Sequence, residues 1–271
     1  MEYTKKEEKL WKIMEEYVQQ DVCIAFSGGA DSSLLLKLAM EVVPKGITVY
    51  AVTFDTVLHP SCDLKIAAQV AEEAGAVHQV LFVDELEDPG ICSNPIDRCY
   101  RCKKKLFTEL QTFAREKSVS TILEGTNADD LTLYRPGLLA VREMGIKSPL
   151  AEAGMQKEEV RAFSRKLGLS VADRPASPCL ATRLPYGTRI EPELLRRIEE
   201  GETLLKKAGF PIVRLRVQEE TARIEIPKER FKDFLSQAEK LAKALKTLGF
   251  HYVTLDLEGF RSGSMDEFLK K

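Results

Sequence analysis

Ala25-Phe26-Ser27-Gly28-Gly29-Ala30-Asp31-Ser32-Ser33 stands between two stretches of different period. Before it, Val22–Phe26 is a short apolar run that reads as a buried strand, and after it Ser32–Val42 carries helical spacing. Two adjacent glycines let the backbone turn tightly and present its N–H groups, while the opening helix adds unpaired donors and a positive dipole end. Ser27, Ser32 and Ser33 add hydroxyls, so the cup suits a polyphosphate. It lacks the GK[ST] ending of a Walker A loop, and with it the lysine that meets the β- and γ-phosphates there. The competing reading is a strand–turn–helix corner whose glycines only relieve backbone strain. A complete SGGxDS between a strand and a helix favours the phosphate loop.

Outward from this loop, strands and helices alternate. Lys5–Gln19 reads as an amphipathic helix, Thr48–Phe54 as a strand, Cys62–Ala74 as a helix and His78–Val83 as a strand. Tyr100–Lys117 is helical and Thr121–Glu124 is a fourth strand. That alternation predicts an α/β fold: a doubly wound, mostly parallel sheet with helices on both faces. The rhythm changes after Pro175, and Ala176–Ile190 is a Pro-, Gly- and Thr-rich loop. Beyond it come a helix (Pro192–Ala208), strands Val213–Val217 and Arg223–Ile226, a helix (Glu229–Leu248) and a strand (Tyr252–Leu257). This order predicts a smaller α+β domain, giving an ATP-loop domain over 1–184 and a domain for substrate binding and oligomerisation over 185–271.

Composition narrows the function classes. Of 271 residues, 44% are apolar and 30% charged, which excludes a disordered or collagen-like chain. Forty basic against forty-two acidic residues leave −2, so no bulk cationic field argues for nucleic acid or a membrane surface. Apolar runs fall far short of a membrane span, and Met1–Gln20 is charged with no signal-peptide core, so a cytoplasmic protein is expected. Six cysteines in so long a chain do not read as a disulfide framework. Cys99 and Cys102 form a CxxC, while Cys179 sits alone in a Pro-rich stretch. Cys23 reads as a small buried hydrophobe; Cys62, at a helix start, and Cys92, in a loop, need no special role. His59, His78 and His251 have no metal-binding spacing.

The segment SGGADS resembles the PP-loop of the N-type ATP pyrophosphatases, which cleave ATP to AMP and pyrophosphate while adenylating a substrate. The resemblance implies that Ser27, Gly28, Gly29, Asp31, Ser32 and Ser33 grip the phosphates and that Asp31 helps hold Mg²⁺. Thr53, Gly125, Thr126 and Asp129 are the further ATP-site residues expected. Asp129 and Asp130, in Glu124-Gly125-Thr126-Asn127-Ala128-Asp129-Asp130, follow a strand end, where ligands gather in open α/β sheets. Mg²⁺ prefers a carboxylate plus substrate phosphates and water. Asn and Asp at such a place equally make turns or cap helices, and for Asp129 both readings stand.

Further segments sharpen the likeness. Thr53-Phe54-Asp55, Leu58-His59-Pro60, Gly125–Asp130, Pro178-Cys179-Leu180-Ala181-Thr182-Arg183, Pro185-Tyr186-Gly187 and Gly259-Phe260-Arg261-Ser262-Gly263-Ser264-Met265 together resemble the LarE sulfur transferases. Cys-Leu-Ala-Thr-Arg followed by Pro-Tyr-Gly is the most specific piece. The resemblance implies adenylation of the carboxylates of pyridinium-3,5-biscarboxylic acid mononucleotide and replacement of oxygen by sulfur, giving the bisthiocarboxylate that later holds nickel in the pincer cofactor of lactate racemase. The residue types suit that chemistry, since a thiolate or sulfide attacking an acyl-adenylate is favoured by positive surroundings. Arg183 lies four residues after Cys179, and Arg214 and Arg216 alternate on one strand and share a face. These three arginines are the expected substrate ligands, suited to carboxylate and phosphate; solvated charge on an edge strand is the plainer reading of Arg214 and Arg216. By the resemblance Glu202 matches a position the family uses near its active site, although a lone Glu on a charged helix is more often just surface.

In single-cysteine members of the family the residue matching Cys179 surrenders its own sulfur and becomes dehydroalanine. This chain departs from that pattern through Cys99 and Cys102, whose i, i+3 spacing puts both on one helix face. With Cys179 they make three thiols, too few for a four-thiolate zinc site but enough for a [4Fe–4S] cluster with one iron open to sulfide. A subset of LarE-like proteins and some tRNA thiolases carry such clusters, so the expected sulfur carrier is a cluster on Cys99, Cys102 and Cys179, with sacrifice of Cys179 as the alternative. The expected partners are the pyridinium mononucleotide, sulfide or another sulfur donor and, by resemblance, five more copies in a homohexamer. A tRNA thiolase is the competing enzyme class, and an ammonia-using ligase, which needs no thiols, is a third.

Overall fold

The computed structural model describes residues 3–133, 135–175, 177–261 and 265. The chain divides into two compact units, residues 1–85 with 97–177 and residues 86–96 with 178–271.

The first unit is built on a parallel four-stranded sheet of order β3-β2-β1-β4, with β1 Val22–Ala25, β2 Val49–Asp55, β3 Val77–Phe82 and β4 Thr121–Leu123. β1 shows why both faces are covered. Val22 and Ile24 bury against Leu10 and Met14 of the helix Lys5–Tyr17, the Leu34–Leu36 run of the helix Ala30–Val42, and Phe163 of the helix Lys157–Lys166. Cys23, one residue out of phase, buries on the opposite face with Phe107, Leu110 and Phe113 of the helix Arg98–Glu116. A strand apolar on both faces needs a helix layer on each side, and this chain supplies both. Cys23 is fully buried, and its thiol is pushed up to about 12 by burial and by Asp21, which leaves it inert at neutral pH.

The central strand β1 pairs with β2 on one side and β4 on the other (Val22 opposite Val49 and Thr121), so the chain reverses its direction of travel across the sheet there. The crevice at the carboxyl ends of β1 and β4 is the place where such sheets bind ligands. The helices Gly137–Glu143 and Pro149–Glu152 follow β4 and carry the chain to Lys157–Lys166.

The second unit holds a mixed three-stranded sheet of order β5-β6-β7, with β5 Arg214–Gln218 antiparallel to β6 Thr221–Glu225, and β7 Tyr252–Leu255 parallel to β6. The helix Pro192–Lys207 lies close over β5 at Gly201, where any β-carbon would press on the Leu215 side chain. The single helix expected over Glu229–Leu248 is instead a 3₁₀ turn (Lys228–Arg230) and two helices, Phe231–Leu235 and Ala238–Thr247. Ser236 makes the break: its hydroxyl donates to the Asp233 carbonyl at 2.7 Å, a local bond that competes with helix continuation.

Residues 86–96 are stapled to the second unit by main-chain bonds. Ile190 N–H donates to Cys92 O, Gly187 N–H donates to Asn94 O, and Asn94 Nδ2 donates to Pro185 O at 2.8 Å. Asn94 is fully buried with φ of 51°, a conformation Asn tolerates better than most residues. Asn94→Ala should therefore cost about 1 kcal/mol from the lost hydrogen bond, with backbone strain added, since Pro185 O keeps the Thr188 amide. Asn94→Gly removes the strain but not the lost bond, so its urea midpoint should fall between Ala and wild type.

Candidate active site

The PP-type loop leaves β1 and opens the helix Ala30–Val42 with Gly29 as its N-cap. Gly28 sits at φ of 65°, and a β-carbon there would lie 2.8 Å from Ala67 Cα. Both observations restrict the position to glycine. Ser32 Oγ donates to the Gly29 carbonyl at 3.3 Å and lies 3.3 Å from the Ser27 amide and the Ser27 hydroxyl, so the serines brace the turn. Ser33 is buried, and its hydroxyl has no partner among the described residues. Arg174 donates to the Gly28 carbonyl at 3.1 Å and pairs with Asp63 at 2.5 Å, fixing the far side of the loop.

The end of β4 closes on this loop. Gly125 passes so near that a β-carbon would stand 3.1 Å from both Asp31 Cβ and the Ser32 amide nitrogen. Asn127 Nδ2 donates to Asp31 Oδ1 at 3.3 Å, and Lys157 Nζ pairs with Asp31 Oδ2. Asn127 Oδ1 accepts the amides of Asp129 and Asp130 at 3.0 and 3.2 Å, while Asp130 pairs with Arg135 at 2.8 Å. Asp129 Oδ2 accepts the Lys157 amide at 2.8 Å, so the turn-and-cap reading describes its contacts. Thr126 is buried, and its amide donates to Glu124 Oε1 at 2.9 Å. Thr53, also buried, shares a 2.9 Å hydrogen bond with His78. Asp31, Ser27–Ser33, Gly125 and Thr126 are thus brought together. Lys157, Arg174 and Arg135 join them without any motif to announce them.

Cys99 and Cys102 lie on the first turns of the helix Arg98–Glu116, Cys99 exposed and Cys102 half-buried. The buried Arg98 donates to Cys99 Sγ at 3.5 Å. Cys102 Sγ donates to Glu85 Oε1 at 3.7 Å. Glu85 is wholly buried, and burial pushes its carboxyl up to about 7 against the hydrogen bonds that lower it. Among the described residues, no three Cys, His, Asp or Glu side chains form a group able to hold a metal ion. None of the six cysteines forms a disulfide.

Cys179 belongs to the second unit, where it caps the 3₁₀ turn Leu180–Arg183. Arg183 is buried, and its guanidinium makes a two-bond fork with Glu202 at 2.8 and 3.0 Å. It also donates to the carbonyls of Pro178 and Cys179 at 2.9 and 3.2 Å, so it holds the cysteine turn. Glu202 in turn accepts the Leu215 amide of β5 at 3.1 Å. Burial raises the Glu202 carboxyl, but the hydrogen bond and charge of Arg183 outweigh it and set the value below the usual carboxylate range.

Arg216 continues the scaffold, donating to the Thr182 carbonyl at 2.6 Å and pairing with the buried Glu225 at 2.5 Å. Arg214 packs over Phe260 at 5.2 Å. Burial first, then the neighbouring Arg183 and Arg216, lower its guanidinium to about 10. A cavity of about 550 Å³ in this unit is lined by Arg183, Arg216, Arg223 and Arg261 among others. Ser262, Gly263 and Ser264 of the last expected motif lie outside the described residues.

A glycine-lined loop opening a helix, crossed by a second strand end bearing Asn and Asp, defines a nucleotide-binding α/β protein of the PP-loop class. The PP-loop domain model matches residues 2–132. The chain is 40% identical to the pyridinium-3,5-bisthiocarboxylic acid mononucleotide synthase of Lactiplantibacillus plantarum, over 93% of this chain and 91% of that one. It is 38% identical to the uncharacterized protein slr1717 of Synechocystis, over 98% and 99%. More distant is a tRNA-specific 2-thiouridylase of Rickettsia massiliae, 26% identical over 59% of this chain and 53% of its own. The chain belongs to the LarE family of ATP-dependent sulfur transferases.

The Arg183–Glu202 fork yields two predictions. Arg183→Met alone should destabilise the protein by about 3–5 kcal/mol, because it strands a buried carboxylate, whereas the double variant Arg183→Met with Glu202→Leu should lose clearly less. A double-mutant cycle read from denaturant midpoints checks this. Because Glu202 is depressed in the folded state, its contribution is complete above the unfolded value of about 4.3 and is lost as pH falls through the folded value. Wild-type melting temperature should thus fall more steeply below that pH than that of Glu202→Gln.

Proposed function

We propose that this protein adenylates the carboxylates of pyridinium-3,5-biscarboxylic acid mononucleotide and converts them to thiocarboxylates. The observation that carries the reading is the likeness, over nearly the whole of both chains, to the Lactiplantibacillus synthase. The thiouridylase likenesses run at only 24–28% identity, and a net charge of −2 gives a polynucleotide backbone no general attraction.

In the first step a carboxylate oxygen attacks the α-phosphorus of ATP, the bond to the β-phosphate oxygen breaks, and pyrophosphate leaves. Ser27–Ser33, Thr53, Gly125 and Thr126 hold the nucleotide. Asp31, partly exposed at the mouth of the loop, would hold Mg²⁺ together with phosphate oxygens, as a single carboxylate suffices for that ion. In the second step a sulfur nucleophile adds to the acyl carbon and AMP departs with the carboxylate's oxygen. Arg214 and Arg216 bind the anionic substrate. What supports that role is Arg216 on the wall of the arginine-lined cavity, with Arg214 on the same face of β5. Arg183 and Glu202 position Cys179 by fixing its turn.

For the sulfur source, Cys99, Cys102 and Cys179 are the residues that would hold a [4Fe–4S] cluster, and a cluster with one open iron supplies a sulfide. What supports the reading is the donor set alone, three thiols of which two share a helix face; among the described residues they form no group able to hold a metal ion. A cytoplasmic homohexamer completes the proposal; among the described residues no helix is long and apolar enough to cross a membrane.

Incubating the anaerobically purified protein with the biscarboxylate mononucleotide, ATP, magnesium and sulfide should yield a sulfur-containing product by mass spectrometry. No product, together with no substrate-dependent ATP–pyrophosphate exchange, would overturn the substrate. Iron and acid-labile sulfide should co-purify. Their absence, with Cys179 lighter by the elements of hydrogen sulfide after turnover, would replace the cluster by sacrifice of that cysteine. Cys179→Ala should abolish the sulfur product under either source while pyrophosphate exchange persists.

A further inference from the structure

The sheet of the second unit carries a charge arrangement that strand pairing does not call for. Arg216 of β5 stands directly opposite Arg223 of β6 in the antiparallel ladder, and Thr254 of β7 is the register partner of Arg223 on its other side. Residues opposite one another share a sheet face, so the two guanidiniums and the threonine stand together. Like charges in that position oppose the pairing of strands, where an acid or an apolar residue across the ladder would favour it. A local rule broken on the wall of a cavity marks a functional position.

The cavity is the one of about 550 Å³, a size that suits a small molecule such as a mononucleotide. Arg216, Arg223, Thr221 and Thr254 stand on its sheet wall, and Arg261 joins them from the chain that follows β7. Thr221 lies two residues before Arg223 on β6 and so shares its face. Arg223 meets Glu225 and Asp256 at 3.5 Å each, longer than a charge-assisted hydrogen bond. Arg261 pairs with Glu258 at 2.7 Å, but that acid is 74% exposed, where exchange for another anion costs little. The described lining holds four arginines against two acids, Glu219 and Glu258.

The number of donors selects the anion. One guanidinium fork satisfies both oxygens of a carboxylate. Two guanidiniums and two hydroxyls exceed that and match a phosphomonoester, which brings three terminal oxygens and close to two negative charges at neutral pH. A phosphate between Arg223 and Arg261 also offsets the repulsion that Arg223 meets from Arg216. We propose that Arg223 and Arg261, with the Thr221 and Thr254 hydroxyls, form a phosphomonoester subsite: it takes the phosphate of the mononucleotide substrate and leaves Arg214 and Arg216 to the carboxylates. This assignment rests on the mononucleotide substrate proposed above and specifies how that substrate is held.

The test is equilibrium binding to the full-length protein with the nucleotide site filled by α,β-methylene-ATP, which keeps the probe phosphate out of the PP-loop. The probes are the biscarboxylate mononucleotide, its dephosphorylated riboside and ribose 5-phosphate. In Arg223→Gln and in Arg261→Gln, affinity for both phosphate probes should fall about 10- to 100-fold, the loss of one charge-assisted contact, while riboside affinity stays within about twofold of wild type. Arg223→Lys should recover part of the loss, since it keeps the charge without the fork. Unchanged affinity for the phosphate probes in both glutamine variants would overturn the subsite, as would a wild type that binds neither phosphate probe. So would an equal loss of riboside binding, which would make these arginines braces of the sheet. If wild type binds ribose 5-phosphate but neither pyridinium probe, the substrate reading falls, and the subsite stands when the glutamine variants lose ribose 5-phosphate. If Arg223→Gln does not fold, Arg223→Lys and Arg261→Gln are judged by the same comparison.

Discussion

The nucleotide site depends on how closely main chain approaches main chain. Ala67, on the helix Ser61–Ala74, sits against the loop at Gly28, and the crossing from β4 sits against it at Gly125; in both places a β-carbon would meet fixed atoms at about 3 Å. With the side chains removed, peptide N–H groups converge where phosphates would bind, and no reorganisation is required to present them. The buried hydrogen-bond work of Asn127, Thr126 and Ser32 then serves to keep those peptides in place.

The second unit solves a different problem. A thiol near the amino end of a short 3₁₀ turn has little intrinsic rigidity, because so short a helix makes few bonds of its own. Arg183 supplies that rigidity by gripping two carbonyls of the turn while its charge is met by Glu202, itself locked to β5. Arg216 holds the Thr182 carbonyl from the strand side. The turn carrying Cys179 is therefore fastened by guanidinium groups, whose several fixed donors suit a cluster of carbonyls better than an ammonium would.

The strand, loop and helix around Ser27–Ser33 were legible because local period, glycine chemistry and hydroxyl placement agree. The sheet followed from the alternation of elements, and β1 met the expectation of burial on both faces. Lys157 and Arg174 were not legible, since each matters through a contact more than a hundred residues distant in sequence. Arg183 was visible as a charge near Cys179, but its partner was not: a side chain four residues from a cysteine points equally well to substrate or to a buried carboxylate. The break at Ser236 was hidden because a hydroxyl bond to a nearby carbonyl leaves the apolar period almost unchanged.

Residues 86–96 belong to the second unit although the chain then returns to the first for eighty-one residues, 97–177. During synthesis this segment leaves the ribosome long before Leu184–Ile190, the stretch that satisfies Asn94 and the Cys92 carbonyl. Until then the Asn94 side chain and the Cys92 and Asn94 carbonyls lack those partners. The carboxyl-terminal unit consequently cannot be prepared by cutting the gene once: a fragment starting at Pro178 would lack a structural piece, and a fragment ending at Ser177 would carry that piece without its mate.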